Sequence, residues 1–521
     1  MIQSANFIGF SKSSESEIKI TSFNAKTHEA LPNSFFVATE NELNKALSKA
    51  KNAFPIFSNL KMSNRAEFLE QIAVEIEALG DKLIEQAVLE SGLPEARFIG
   101  ERGRTTGQLR LFAKVLRDGN WVEASIDTPK PDRSPLPKPD IRQALTAIGP
   151  IAIFTASNFP LAFSTAGGDT ASAFAAGCPV IIKAHESHLG VNALVSSAIT
   201  KAALKTGMPD GVFSSLNGDA YKTGSQLVMH PDTRGVAFTG SFNGGKALYD
   251  LAQKRKDPIP VFAEMGSINP VIFLPSKLEK ECDQLTSMYA TSITMGVGQF
   301  CTNPGLLISV KSEKLEEFKS KLSGKLNALP MHTMLNQGIA SNFKKLRIEM
   351  LKQDGVNTYS SKDTLVPTLA FVSGVDFIKN PDLHKEVFGP YSLLVECADK
   401  TELLEVIDKL EGQLTGTVIA DAVDIENYKE LFPKLQDKVG RLIFNSTPTG
   451  VEVCYSMHHG GPYPATTDSR FTSVGTNAIR RFVRPICFQN APQELLPDSL
   501  KDSNPLGIFR LIDGVLSKKE I

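Results

Sequence analysis

The sequence predicts an α/β protein built on a doubly wound parallel sheet, with a second α/β unit following it in the chain. Two observations carry this. Between 143 and 274, short apolar runs (CPVIIKA, GVFSSLN, GVAFTG, IPVFAE, NPVIFLP) alternate with helical runs such as HLGVNALVSSAITKAALKTG and NGGKALYDLAQKRK. Such alternation produces parallel strands joined by crossover helices. From 275 to about 465 the alternation returns less cleanly, which predicts the second unit.

Taken in order, residues 41 to 119 read as helix. NELNKALSKAKNAF and NRAEFLEQIAVEIEALGDKLIEQAVLESG carry apolar residues at helical spacing, and Pro94 breaks the chain before EARFIGERGRTTGQLRLFAKVLRDG. The segment 121–142 differs, with five prolines among short extended pieces. It reads either as an exposed loop or as a projecting hairpin that pairs with another subunit, because proline lacks a ladder donor and suits an edge or tip. ALTAIGPIAIF then reads as the first apolar strand, and PLAFSTAGGDTASAFAAG and YKTGSQLVMH as helices. In a sheet of this kind ligands bind beyond the carboxyl ends of the strands. AIRRFVRPICFQN reads as a strand, and NPLGIFRLIDGVL as a short amphipathic helix in a polar tail.

Composition narrows the class. The 521 residues are ample for several domains, and 42% hydrophobic with 22% charged is ordinary for a soluble globular chain. A formal net charge of −1 offers no bulk attraction to nucleic acid or anionic membrane. The six cysteines lack paired or zinc-type spacing, which predicts free thiols in a reducing compartment and no metal site. MIQSANFIGFSKSSES lacks a basic stretch followed by a long apolar one, and no apolar run reaches bilayer length, so the expected location is the cytoplasm.

Six motifs then occur in order: SNFPLAF, VIIKAHES, FTGSFNGG, FAEMGSINP, GQFCTNPG and KEVFGP. Through them the chain resembles the NAD(P)-dependent aldehyde dehydrogenase superfamily over nearly its whole length. ASNFPLAFSTAGGDTASAFAAGCPVIIKAHESH, GRTTGQLR, HHGGPYPATTDSRFTSVG and AIRRFVRPICFQN resemble more closely the 2,5-dioxovalerate (α-ketoglutarate semialdehyde) dehydrogenases within it. The resemblance implies an NAD(P)-binding domain at 1–120 and 143–265, a catalytic domain at 266–465, a small β oligomerisation arm from 121–142 and 480–492, and a tail at 493–521. It also implies oxidation of an aldehyde through a covalent thioester, with hydride transfer to a nicotinamide and release of the acid by water.

The resemblance implies these roles. Cys301 is the nucleophile, Glu264 the general base for thioester hydrolysis, and Asn158 an oxyanion donor beside the Cys301 amide. Glu264 ends an apolar strand, where burial is expected to raise its pKa toward working pH. Lys183 and Glu186 meet the adenosine ribose. Gly240, Ser241 and Gly245 admit a pyrophosphate at a helix N-terminus, and Glu386 and Phe388 hold the nicotinamide ribose and ring. The cofactor is NAD or NADP: Glu186 favours NAD by repelling a 2′-phosphate, against which stands Lys222. The mechanism needs no metal.

A 2-oxo acid semialdehyde requires a cation at the far end of its tunnel. Aligning GRTTGQLRLFA with the family's helix puts Arg104 there, with a surface salt bridge among Glu101, Arg102 and Arg104 as the plain alternative. Phe159, Phe163, Phe300, Val453 and His459 are expected to line the tunnel, His459 either donating to the 2-oxo group or filling space. The rival reading is a broad aliphatic or fatty aldehyde dehydrogenase. A catalytically silent structural protein with this fold is remote, because Cys301, Glu264 and Asn158 are all present. The arm implies a homodimer or homotetramer.

Overall fold

The computed structural model describes residues 2–360 and 365–521. The first sheet has seven strands. Its parallel part runs in the spatial order Val261–Glu264, Gly235–Thr239, Ile151–Phe154, Val180–Lys183, Phe213–Leu216, and two antiparallel strands, Asn6–Ile8 and Ser11–Ser13, extend the last edge. The chain enters at Ile151–Phe154, winds outward one way, and returns to the other side of that strand at Gly235–Thr239. The carboxyl ends therefore converge at a switch point, and Asn158, Lys183, Gly240 and Glu264 all lie at or just beyond those ends.

The second sheet also has seven strands, in the order Asn357–Thr358, Thr368–Ser373, Tyr391–Cys397, Leu306–Val310, Val271–Phe273, Gln413–Ile419, Val439–Phe444, parallel except for the first. Here the site residues precede the strands. Cys301 stands before Leu306–Val310 and Glu386 before Tyr391–Cys397. The amino ends of the second sheet thus meet the carboxyl ends of the first.

The helices Glu40–Ser58, Met62–Glu77, Asp81–Ser91 and Glu95–Asp118 cover the first sheet. Thr39 and Glu42 form a capping box on the first of them, and Gly92 and Gly119 end the last two in left-handed conformation. Phe57 packs edge-on against Phe68 and Phe174, which are tilted on each other, with ring centroids 5.1 to 6.2 Å apart.

Three expectations change. ALTAIGPIAIF is not one strand: Gly149, at φ 127°, turns the chain between Ile141–Ala147 and Ile151–Phe154, which belong to different sheets. The expected helix from Pro160 is formed only over Gly168–Ala176. Its beginning is held as a turn, because the amides of Leu161 and Ala162 donate to Glu101 and that of Gly168 to the Ala162 carbonyl. NPLGIFRLIDGVL is not a helix. Asp513 and Gly514 both have positive φ, 46° and 84°, and close a hairpin between Arg510–Ile512 and Val515–Ser517. An Asp-Gly pair flanked by apolar residues is a strong hairpin signal that outweighs the amphipathic spacing.

This hairpin completes a five-stranded arm sheet, in the order Val483–Gln489, Ile141–Ala147, Ser125–Asp127, Arg510–Ile512, Val515–Ser517. The proline-rich segment is a hairpin, with Lys130 paired to Lys138 near its tip. Residues 493–521 are thus part of the arm and not a loose tail. Leu496, Leu500 and Ile508 pack on Val122, Ile126 and Ala144. Among the described residues no helix is long and apolar enough to cross a membrane.

Because Leu500 is fully buried in this small cluster, Leu500→Ala is expected to cost about 2–5 kcal/mol of stability. Denaturant unfolding followed by circular dichroism measures it, and a loss under about 0.5 kcal/mol would show that the C-terminal segment packs only loosely on the arm.

Candidate active site

The loop into Cys301 is built from unusual backbone. Gly296, Val297 and Gly298 have φ of 55°, 59° and 66°, a left-handed run that is costly for β-branched Val297. At Gly298 a side chain is excluded outright, since a Cβ would stand 2.2 Å from the Gly389 carbonyl carbon. Beyond the turn, Asn269 fixes the backbone that carries Cys301. Its Nδ2 donates to the carbonyls of Cys301 (2.8 Å) and Asn303 (2.9 Å), while its own amide and that of Ile268 reach Gln413 Oε1.

The structure brings Cys301, Glu264 and His459 together. His459 Nε2 lies 3.0 Å from Glu264 Oε1 and 3.5 Å from Cys301 Sγ. Ser473 Oγ donates to Glu264 Oε2 at 2.5 Å. Glu264 and His459 are buried, and Cys301 keeps some exposure. Burial pushes the Glu264 carboxyl upward. The His459 imidazole beside it and hydrogen bonds from His459, Ser473 and Cys301 outweigh burial, and its pKa ends below the usual carboxylate range. This corrects the expectation that burial would raise it. The Cys301 thiol is pushed well above its ordinary range by burial and by the charge and hydrogen bond of Glu264, against the pull of Arg104. The resting pair is therefore thiol and carboxylate, with His459 in reach of both.

Asn158 Nδ2 donates one hydrogen to the Gln299 carbonyl (3.1 Å), which orients the carboxamide above the Cys301 turn. Its backbone is held by Arg97, whose Nη2 donates to the Asn158 carbonyl at 3.2 Å and whose Nε meets Glu101 at 3.3 Å. Arg97 also lies over the rings of Phe159 (4.4 Å) and Phe300 (4.9 Å).

Arg104 sits on the same helix face. Its Cζ is 5.9 Å from the Phe159 ring centroid and 5.3 Å from that of Phe163, and its Nε and Nη2 are sealed from solvent without a hydrogen-bond partner. Burial lowers its pKa, and the nearby Cys301 and Glu101 groups raise it. The alternative surface cluster is absent: Glu101 binds Arg97 and the Leu161 and Ala162 amides, and Arg102 donates to the Gly80 carbonyl. Phe159 meets Phe163 and Phe300 at 5.3 and 5.4 Å, and Phe163 is 6.4 Å from His459. Phe300 directly precedes Cys301 in the chain, so these rings cluster beside the thiol. Val453 lies half-exposed on the irregular stretch leading to His459.

The groups expected to hold a dinucleotide line the other side of the cleft. Ser241 caps the helix Phe242–Gln253 through the Gly244 amide, and the first turn of that helix is open to solvent. A Cβ on Gly245 would strike Met265 at 2.6 Å, and one on Gly240 the Phe238 ring at 2.6 Å, so backbone alone forms this cradle. That fits a pyrophosphate. Lys183 Nζ is 3.0 Å from Glu186, whose side chain is 48% exposed and free to accept further hydrogen bonds; Lys222 is exposed at the start of its own helix. Glu386 lies against Gly266, where a Cβ would be 2.6 Å from its Oε2, and burial pushes its carboxyl up to about 7 despite the Ser267 amide. Phe388 is half-buried beside it in the cleft with Asn303 and Leu306.

Sequence reasoning missed Asn269 and Arg97, and it placed His459 on the tunnel wall and not between nucleophile and base. For Asn269 a signal existed, its place five residues after Glu264 in the same motif. For Arg97 and His459 none did, because their partners are remote in the chain.

The chain is similar to known proteins. A model of the aldehyde dehydrogenase family matches residues 11–341. The chain is 49% identical over 486 residues to alpha-ketoglutaric semialdehyde dehydrogenase 2 of Azospirillum brasilense, covering 92% of this chain and 93% of that one. It is 46% identical over 508 residues to the alpha-ketoglutaric semialdehyde dehydrogenase of Acinetobacter baylyi, covering 96% of each. Among solved structures, aldehyde dehydrogenase 21 of Physcomitrella patens in complex with the reaction product succinate matches with a TM-score of 0.79 at 19% identity, covering 94% of this chain and 98% of that one. A Thermus 1-pyrroline-5-carboxylate dehydrogenase with bound NAD gives 0.76 at 22%, covering 93% and 92%. At those identities the two structures speak for the fold.

If Glu264 is what keeps Cys301 protonated, Glu264→Gln is expected to lower the thiol pKa. Iodoacetamide should then label Cys301 about tenfold faster at pH 8 than in the unaltered protein, as read by mass spectrometry. Unchanged or slower labelling would mean that burial alone sets the thiol.

Proposed function

This chain belongs to the aldehyde dehydrogenase family, and we propose that it oxidises 2,5-dioxopentanoate, the semialdehyde of 2-oxoglutarate, to 2-oxoglutarate with a nicotinamide dinucleotide. The observation that carries the substrate is Arg104, a guanidinium with sealed, unpartnered Nε and Nη2 among the rings that lead to Cys301. Leaving such donors unpaired is costly, and a carboxylate at the far end of the substrate satisfies them with a fork that lysine cannot match. The two alpha-ketoglutaric semialdehyde dehydrogenases that share nearly half their residues with this chain support the same reading.

The chemistry follows from the site. Glu264, which accepts a hydrogen bond from Cys301, takes its proton as the sulfur attacks the aldehyde carbon and releases it to solvent before hydrolysis, while His459 Nε2 donates to the carboxylate; the oxyanion that forms is met by Asn158 Nδ2 and the Cys301 amide. The bound nicotinamide supplies the hydride acceptor. Glu264, kept ionised by Ser473 and His459, draws a proton from water to open the thioester. Lys183 and Glu186 hold the adenosine ribose, Gly240, Ser241 and Gly245 the pyrophosphate, and Glu386 and Phe388 the nicotinamide half. With Glu186 half-exposed beside Lys183, NAD is favoured over NADP, whose 2′-phosphate meets a carboxylate. The outer arm strand Val483–Gln489 is paired on one side only, which suits assembly as a homodimer or homotetramer.

The aromatic wall of Phe159, Phe163 and Phe300 also suits a plain aliphatic aldehyde, so the test compares the two. Arg104→Met is expected to lower kcat/KM for 2,5-dioxopentanoate by about a hundredfold, some 2.7 kcal/mol, through KM, and to leave hexanal within a few-fold. Equal losses for both substrates would return Arg104 to a structural role.

Glu386 gives a pH prediction. Its carboxyl, raised to about 7, accepts from both ribose hydroxyls most strongly when ionised, so the dinucleotide should bind more weakly at pH 6 than at pH 8, by up to about tenfold. Calorimetric titration measures this, and Glu386→Gln should flatten the dependence; a dependence that survives the change assigns it to another group.

A further inference from the structure

We propose that the nucleophile pocket is also a binding site for a thiophilic divalent cation of the zinc type, which holds the protein in a reversible inactive state. Cys301 Sγ, His459 Nε2 and a Glu264 carboxylate oxygen all lie within 4.8 Å of one another. Two of the three separations are 3.5 Å and 3.0 Å. Around a tetrahedral zinc ion with bonds of about 2.0–2.3 Å, neighbouring ligand atoms stand roughly 3.3–3.6 Å apart. The Cys301–His459 side falls in that range, the His459–Glu264 side is a few tenths of an ångström shorter, and the third is at most 4.8 Å, so small side-chain shifts bring all three onto one ion.

The donors match as well as the distances. Thiolate, imidazole and carboxylate are the three side-chain types that zinc takes, and a three-residue set leaves a fourth position for water or a substrate oxygen. On binding, the metal–sulfur bond forms as the Cys301 S–H bond breaks and its proton leaves to solvent, and the metal–nitrogen bond forms as the hydrogen that His459 Nε2 donates to Glu264 is exchanged through solvent onto Nδ1, leaving a neutral imidazole. Nothing is oxidised or reduced. The thiolate and the Glu264 carboxylate together balance a 2+ charge in a buried setting, where a single anion would not.

Two features keep the affinity below that of a resident structural metal. Arg104 places a like charge near Cys301. His459 Nδ1 is buried without a partner, so the ring lacks the outer acceptor that strong zinc sites provide. The site is therefore inhibitory. It occupies the nucleophile and the base at once and competes with the aldehyde, whichever aldehyde that is.

The full-length protein is titrated with Co2+ as a spectroscopic probe, and then with Zn2+. The expected result is a near-ultraviolet thiolate-to-cobalt band that saturates at one equivalent, is displaced by Zn2+, and is absent in Cys301→Ser. His459→Phe and Glu264→Gln should each weaken Zn2+ at least tenfold, measured by competition with a zinc indicator. Should His459→Phe fail to fold, the isosteric Glu264→Gln decides. The proposal is overturned if the band survives in Cys301→Ser, which would put the metal on another thiol such as exposed Cys487. Zn2+ binding as tight in Glu264→Gln as in the unaltered protein would reduce the site to a lone sulfur and overturn it too.

Discussion

The buried charge of Glu264 is the constraint from which the rest of the site follows. A carboxylate removed from water is costly unless its lone pairs are filled. Here the donors come from Cys301, on the loop before the second sheet, and from His459 and Ser473, on the irregular return after it. Glu264 itself closes the edge strand of the first sheet and forms a backbone bridge to Thr466. One charge is therefore satisfied only when the carboxyl ends of one sheet and the amino ends of the other stand face to face. The polar network that makes the chemistry is also what fixes the register of the two units.

The same charge has a price in reactivity. Together with burial, the larger cause, it holds the Cys301 sulfur in its thiol form, which protects a partly exposed thiol from adventitious alkylation and oxidation. The opposing cation is Arg104, yet an anionic group bound there would cancel much of that help. Thiolate formation must then rest on Glu264 as the proton acceptor, with His459 Nε2 holding the carboxylate in place. An aromatic hydrocarbon ring in place of His459 would fill the space and supply no hydrogen bond to Glu264.

The sequence made legible what short-range chemistry decides. The alternation of apolar and helical runs placed the parallel strands, and the motifs around Asn158, Glu264, Cys301 and Glu386 named groups that the structure gathers in one cleft. Local pattern misled where a distant partner sets the backbone. The segment after Pro160 has helical spacing, but Glu101 takes the Leu161 and Ala162 amides and holds a turn. The C-terminal segment has amphipathic spacing, but Asp513 and Gly514 turn it into a hairpin that needs the edge of Ser125–Asp127 to pair with. The strands Asn6–Ile8 and Lys19–Phe23 carry no strong period of their own and are stabilised by pairing partners. His459 was legible as a member of the site but not as the link between Cys301 and Glu264, since nothing local to HHGG points to either.

One helix face explains why recognition and catalysis are joined. Arg97, Glu101 and Arg104 recur at the spacing of a single stripe on Glu95–Asp118. The first two clamp the segment that carries Asn158 and Phe159: Arg97 through the Asn158 carbonyl, Glu101 through the amides of Leu161 and Ala162. Their charges largely answer each other, so Arg104 is the cation left without a partner in the stripe. On the proposed reading, a substrate anion on Arg104 would pull on the same rigid element that clamps the Asn158 segment. Binding energy gained at the far end of the substrate is then available to hold the aldehyde carbon under Asn158 and over Cys301, where geometry decides the rate.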